Sequence, residues 1–228
     1  MCGYLVAVAV FLVRRQRNGD VVDGGTRYMV MVGAGIGAMI GSRLLAALCE
    51  PLRVWQGLAE GHLYFGKTIV GALLGGLIAV ELVKRRAGVS EATGDPLVVP
   101  MAVGIAIGRV GCFLAAQIDD TGGLPTNLPW AVVGPDGIGR HPVALYEIAF
   151  VLLLAPIATA IGRRGARGDA FKLFLSSYLL FRFFCDFLKP MPPRIYGGLS
   201  TIQLACAAGL LYYASVWLRR MRSVEVTA

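Results

Sequence analysis

The sequence predicts an all-α, polytopic membrane protein of about seven transmembrane helices, with its N-terminus outside and its C-terminus in the cytoplasm. Three observations carry this. Of 228 residues, 56% are hydrophobic and 16% charged, with a mean hydropathy of +0.66, which is too apolar for a soluble domain. Apolar runs recur at the length a bilayer requires, roughly 20 residues for a hydrocarbon core of about 30 Å. Basic clusters occupy alternate connections only.

Taken in order, a short apolar run at Tyr4 to Val13 opens the chain and reads as a tilted or shortened helix starting at Met1. A basic cluster follows it, which is the wrong charge order for a secretory signal peptide, so the segment is expected to be retained. Six longer runs follow near Tyr28 to Cys49, Phe65 to Val83, Leu97 to Gln117, Pro142 to Ile161, Phe171 to Leu188 and Leu199 to Leu218. Arg14, Arg15 and Arg17 follow the first span, and Lys84, Arg85 and Arg86 the third. Arg163, Arg164 and Arg167 follow the fifth, and Arg219, Arg220 and Arg222 the seventh. By the positive-inside rule these connections face the cytoplasm of a bacterial inner membrane.

The whole chain, 1–228, is expected to form one transmembrane domain. Residues 50–64 read as an outer loop, and the Gly-, Pro- and Asp-rich segment 118–141 as a small extracytoplasmic cap. Small residues recur every fourth position at Gly33, Gly37 and Gly41, at Gly71 and Gly75, and at Gly104 and Gly108. On helices these form stripes that permit close backbone approach.

Several function classes are disfavoured. The net charge of +8 is spread over the loops instead of one soluble patch, so nucleic acid is not an expected partner. Cys2, Cys49, Cys112, Cys185 and Cys206 contain no CxxC pair and read as free thiols, and neither a metal nor a cofactor is expected. Residues 61–68, GHLYFGKT, match the phosphate-loop pattern GxxxxGK[ST]. That loop needs a preceding buried strand, whereas a transmembrane helix follows here, so nucleotide binding is not expected. What survives is Lys67 and Thr68 at a helix N-terminus, where free N–H groups and the helix dipole favour an anion.

Polar residues within the spans are the stronger signal, because a charge at the bilayer centre costs about 2.5–3.5 kcal/mol on insertion scales. Arg109 lies inside the fourth span and Glu147 in the first turns of the fifth. Tyr178, Arg182 and Asp186 share one face of the sixth, with Lys189 following. An Arg182–Asp186 pair at i, i+4 is a self-neutralising structural alternative. A polar cavity of net positive charge facing a phospholipid phosphate is the functional one, since guanidinium suits bidentate phosphate contact.

These residues stand in motifs. His141-Pro142-Val143-Ala144-Leu145-Tyr146-Glu147 resembles the HPxxLYE element of the prolipoprotein diacylglyceryl transferase family, and Gly108-Arg109-Val110-Gly111-Cys112-Phe113 resembles its GRxGNF signature. Tyr178, Arg182, Asp186 and Lys189 are similar to its sixth-span pattern of Tyr, Arg, acidic residue and Arg. The sequence departs from the family at Cys112, Ala115 and Gln117. It departs also at Phe65-Gly66-Lys67-Thr68, where the FHGG element would carry a histidine.

The resemblance implies transfer of diacylglyceryl from phosphatidylglycerol, or a similar anionic phospholipid, to the thiol of a lipobox-containing prolipoprotein. It implies that Arg109 and Arg182 hold the phosphate and that Tyr178, Glu147 and Gln117 orient the headgroup, with Asp186 and Lys189 as further substrate contacts; Lys67 and Thr68 are substrate contacts by their place at a helix N-terminus. His141 is a candidate general base by its ordinary titration range, or alternatively a structural cap at a helix start. Lys67 would serve as a base only if desolvated. The alternatives are the same donor with another acceptor, and a lipid-binding or transport protein without chemistry.

Overall fold

The computed structural model describes residues 2–18, 22–62, 66–119, 122–190 and 198–225. Phe65, expected to open the third span, and residues 120 and 121 of the outer segment lie outside these, as do the side chains of Cys2, Arg17, Arg220 and Arg222. Among the described residues eight α-helices dominate: α1 (Cys2–Asn18), α2 (Gly24–Cys49), α3 (Pro51–Ala59), α4 (Ile69–Arg86), α5 (Val98–Asp119), α6 (Val143–Gly162), α7 (Asp169–Cys185) and α8 (Thr201–Glu225). One two-stranded sheet, β1 (Val132–Val133) and β2 (Gly139–Arg140), completes the structure.

Among the described residues, four helical segments are long and apolar enough to cross a membrane: α2, α5 with its preceding turn, α6, and α8 as far as Arg219. The expected spans at α1, α4 and α7 are helical, but they have 17, 18 and 17 residues. Each also carries charge, at Arg14 and Arg15, at Glu81 and Lys84 to Arg86, and at Lys172 and Arg182. The stretch 50–64 is not simply a loop. Pro51 starts helix α3, as proline does at a first helical position, and Leu52, Trp55 and Leu58 are exposed along it.

Chain contacts define two compact units, Met1–Val21 with Glu91–Pro190, and Val22–Ser90 with Met191–Ala228. In the second, α2 and α4 run antiparallel at backbone contact. A Cβ at Gly41 would strike the Gly71 carbonyl, and one at Gly37 the Gly75 carbonyl. The glycine stripes therefore set the helix separation, as small residues do where apolar lipid gives helices no hydrophobic reason to associate. Helix α8 begins with a reciprocal capping box. The Ser200 N–H donates to Gln203 Oε1 at 2.8 Å, and the Gln203 N–H donates to Ser200 Oγ at 3.1 Å.

In the first unit, α1, α5, α6 and α7 bury Phe11, Val98, Ala102, Val151, Leu154, Phe174, Leu175 and Leu179. Gly104 lies against Ala7 and the Gly3 carbonyl of α1, whereas nothing stands within 4 Å of a Cβ at Gly108. A Cβ at Gly3 would in turn stand 2.9 Å from the Gly104 carbonyl and 3.6 Å from the Gly108 nitrogen, so α1 passes over both glycines of that stripe. Asp95 fixes the start of α7, accepting from the Gly168 and Phe171 N–H groups at 2.6 and 2.9 Å. The β1–β2 hairpin pairs Val132 with Arg140 and Val133 with Gly139. Leu124 connects it to the end of α7, donating its N–H to the Leu188 carbonyl at 2.8 Å and accepting from the His141 N–H at 3.1 Å.

Candidate functional site

Helices α5, α6 and α7 each contribute charge to the interior of the first unit. Arg109 comes from the middle of α5, where its neighbours Gly108 and Gly111 add no bulk. Glu147 lies in the second turn of α6, and Tyr178 and Arg182 lie one turn apart on the buried face of α7. Tyr178 and Glu147 are 0% exposed and Arg182 is 3% exposed.

The geometry makes Glu147 the hub. Arg109 Nε stands 2.8 Å from Glu147 Oε1 in an ion pair, and the Tyr178 hydroxyl donates to the same oxygen at 2.6 Å. Glu147 Oε2 has no hydrogen-bond partner. Arg109 also donates from Nη1 to the Cys112 sulfur at 3.7 Å, one helical turn on. On α7, Arg182 Nη2 donates to Asp186 Oδ1 at 3.1 Å. Arg182 Nη1 is buried without a partner. The self-neutralising pair read from the i, i+4 spacing therefore forms, and it engages only one edge of the guanidinium.

Lys189 is half-buried just beyond the last turn of α7, within electrostatic reach of Arg182, Arg109, Glu147 and Asp186. Burial, reinforced by the Arg182 and Arg109 guanidiniums, pushes its ammonium down to about 8. Three cations thus face two carboxylates in this group. An unused buried donor on Arg182 and one surplus positive charge suit a monoanionic phosphodiester, which brings oxygen acceptors and a compensating charge.

His141 takes another place. Its backbone pairs with Gly123 and Leu124, and Pro142 is the N-cap of α6 with no side-chain capping bond. The expectation that His141 caps the helix is therefore corrected: the Pro142 carbonyl accepts from the Leu145 and Tyr146 N–H groups, while the imidazole turns to Tyr146. His141 Nδ1 is 3.3 Å from the Tyr146 hydroxyl, which also accepts the Trp130 indole N–H at 2.7 Å. Beside it, Arg140 grips Asp136 through both carboxylate oxygens at 2.7 and 2.6 Å, holding that exposed carboxyl down at about 2.

Three sequence-derived candidates stand apart from the ion pairs. Gln117 lies eight residues beyond Arg109, about 12 Å along the helix axis, and makes no hydrogen bond among the described residues. Thr68 is the N-cap of α4. Its oxygen accepts from the Gly71 N–H at 3.2 Å and its proton goes to the Ser42 carbonyl at 3.3 Å. The hydroxyl thus caps α4 and bridges to α2. Lys67, next to it in the second unit, is exposed. Phe65 of the same tetrapeptide lies outside the described residues.

Sequence reasoning missed Cys112 as a partner of Arg109, although the i+3 spacing was visible, and missed the Trp130–Tyr146–His141 chain, for which sequence offers no signal. Four cysteines are free thiols, with Cys49, Cys185 and Cys206 buried and Cys112 exposed. Among the described residues, no three of His, Cys, Asp and Glu gather as a metal site would require.

Comparison with known proteins gives a consistent result. A family model described as prolipoprotein diacylglyceryl transferase matches residues 1–219. Similar curated proteins carry the name phosphatidylglycerol–prolipoprotein diacylglyceryl transferase. One from Nitratidesulfovibrio vulgaris, strain Miyazaki F, is 32% identical over 201 residues, covering 83% of this chain and 71% of the relative. One from Methylocella silvestris is 29% identical over 95% of this chain and 83% of its own length. Another, from Chromohalobacter salexigens, is 32% identical over 89% and 76%.

Proposed function

The chain belongs to the prolipoprotein diacylglyceryl transferase family, and from that premise we propose that it moves diacylglyceryl from phosphatidylglycerol to the thiol of a lipobox cysteine. In that reaction the sulfur forms a bond to the glycerol carbon bearing the phosphate, and the carbon–oxygen bond to the phosphate breaks. The electron pair leaves on glycerol phosphate, whose phosphate passes from one formal negative charge to two. Donors aimed at that growing charge stabilise the transition state more than the ground state.

One observation carries the reading: Arg182 Nη1 is buried without a partner beside the Arg109–Glu147–Tyr178 group. Arg182 and Arg109 take the phosphate oxygens, and Glu147, fixed by Tyr178, holds Arg109 in place. Asp186 orients Arg182, and Lys189 adds charge toward the headgroup. The thiol's proton goes to a base, for which His141 is the available imidazole. Gln117 remains a headgroup contact, and Lys67, with the free N–H groups at the α4 N-terminus, an anion contact of the second unit.

Seven spans fit this reading. Helices α1 and α4 are about 26 and 27 Å long, and α7 gains a further turn at Asp186–Leu188. With their terminal arginines and lysines snorkelling, they match a core of about 30 Å. The basic clusters put the N-terminus outside a bacterial cytoplasmic membrane and residues 118–141 on the outer face as a cap, within one membrane domain of 1–228.

A second reading, with the same donor and another acceptor, has one observation in its favour: Lys67-Thr68 stands where the family element would place its last two glycines, and that element's histidine is missing. Incubation of the full chain with labelled phosphatidylglycerol and a lipobox peptide separates the readings. A peptide heavier by one diacylglyceryl group supports transfer to thiol. Lipid consumption without a peptide adduct points to the second reading, and lipid bound but unconsumed refutes both.

A further inference from the structure

The first unit also holds a groove of about 370 Å³, toward the starting end of α5 and the finishing end of α6, away from Arg109 and Glu147. Its floor is apolar, formed by Val99 and Val103 of α5 and Leu152 and Pro156 of α6. Thr159 adds no free donor to the wall, since its hydroxyl donates to the Ala155 carbonyl at 2.7 Å. Arg14 of α1 and Arg163, the C-cap residue of α6, also line the groove, and no carboxylate does. Neither guanidinium has a hydrogen bond or ion pair among the described residues. The volume is in the range of small-molecule sites, roughly 300–1,000 Å³.

We propose that this groove holds an anionic diacyl phospholipid, with one acyl chain along α5 and α6 and the phosphate between Arg14 and Arg163. Two guanidiniums on different helices, beside an apolar trough and without a carboxylate partner among the described residues, match a single anionic head carrying a long apolar tail. From Leu152 to Arg163 the trough follows about 16 Å of helix, the depth of one leaflet in a hydrocarbon core of about 30 Å. The site is separate from the transferase site, and both arginines belong to clusters on the cytoplasmic side of the proposed topology. The occupant is therefore a lipid of the inner leaflet.

The test is native mass spectrometry of the delipidated full chain titrated with dioleoyl-phosphatidylglycerol or dioleoyl-phosphatidylcholine. Wild type should bind one anionic lipid more than the transferase site accounts for, and should not bind phosphatidylcholine in its place. Taking about 1 kcal/mol per basic residue at an anionic lipid surface, Arg14→Gln and Arg163→Gln should each weaken the added site about fivefold, and the pair about 30-fold. Ala160→Trp, which fills the trough and keeps both charges, should also remove it. Unchanged lipid counts in the double variant, in Ala160→Trp, or equal binding of phosphatidylcholine, would overturn the proposal and leave the arginines as topology determinants and helix-end charges. Diacylglyceryl transfer at saturating donor should stay at the wild-type rate in the double variant. Absence of transfer from the wild type itself would count against the transferase reading and leave the lipid count to be judged separately.

Discussion

Arg182→Lys isolates the unused edge of the Arg182 guanidinium. In the native site Nη2 serves Asp186 and Nη1 is free. A lysine keeps the charge but offers a single ammonium, which Asp186 captures. What is lost is one charge-assisted hydrogen bond to phosphate, worth about 1.5–3 kcal/mol. At about 1.4 kcal/mol per tenfold, kcat/KM should fall roughly 10- to 150-fold, while the protein still inserts and keeps its thermal midpoint. Arg182→Met removes one partner of buried Asp186 as well, and stability should fall by up to about 3–5 kcal/mol. Adding Asp186→Asn to that variant should recover much of the stability and none of the activity. The assays are transfer of labelled diacylglyceryl to a lipobox peptide and thermal unfolding in the same detergent. Full kcat/KM in Arg182→Lys would refute the phosphate role of Nη1, and recovery of activity in the double variant would show that the pair is only structural.

Topology is testable with cysteines at exposed sites: Ser90→Cys should be shielded from an impermeant thiol reagent in intact cells and Asn127→Cys should react, the reverse pattern refuting the orientation. Gly123 is unsuitable for the outer label because a Cβ there strikes the His141 carbonyl. Lys67→Arg should keep substantial activity, Lys67→Met should lose it, and Lys67→His should not raise the rate; an inactive Arg variant beside an active His variant in a pH–rate series would identify a base. Because Lys189 titrates at about 8, kcat/KM should decline as pH rises through that value and the ammonium facing the headgroup is lost. Lys189→Arg should flatten the profile, and an identical alkaline limb in both proteins would remove Lys189 from the headgroup.

Much of the fold was legible because the bilayer demands long apolar helices and the charges between them carry orientation. The seven expected runs all contain helices. What composition could not resolve was marginal length: α1, α4 and α7 combine 17 or 18 residues with terminal or internal charge, so a span and a buried helix look alike in sequence. Helix α3 escaped because nine residues between two spans resemble a loop until Pro51 and the spacing of Leu52, Trp55 and Leu58 are taken together. The glycine stripes were legible on α2 and α4, where two stripes face each other, and on α5, where Gly3 of α1 packs over Gly104 and Gly108.

Within the site, the sequence pointed to charges that cannot rest in an apolar span alone, and Arg109, Glu147, Tyr178, Arg182 and Asp186 answered that need in pairs. It could not distribute the pairs, because α5, α6 and α7 meet only after folding. His141 shows the opposite difficulty, since it had two plausible roles. Its side chain does not cap α6, whose N-cap is Pro142. The imidazole's bond to Tyr146 also bears on its chemistry. A Tyr146 oxygen that already accepts from Trp130 has its proton free for His141 Nδ1, and a neutral ring accepting there carries its own proton on Nε2. In that tautomer His141 donates to a headgroup and does not take a proton at Nε2. With Nδ1 donating to Tyr146 instead, Nε2 is bare and fit to receive the acceptor thiol's proton. The hydroxyl of Tyr146, invisible as a functional group in the HPxxLYE pattern, therefore selects which of the two jobs the histidine can perform.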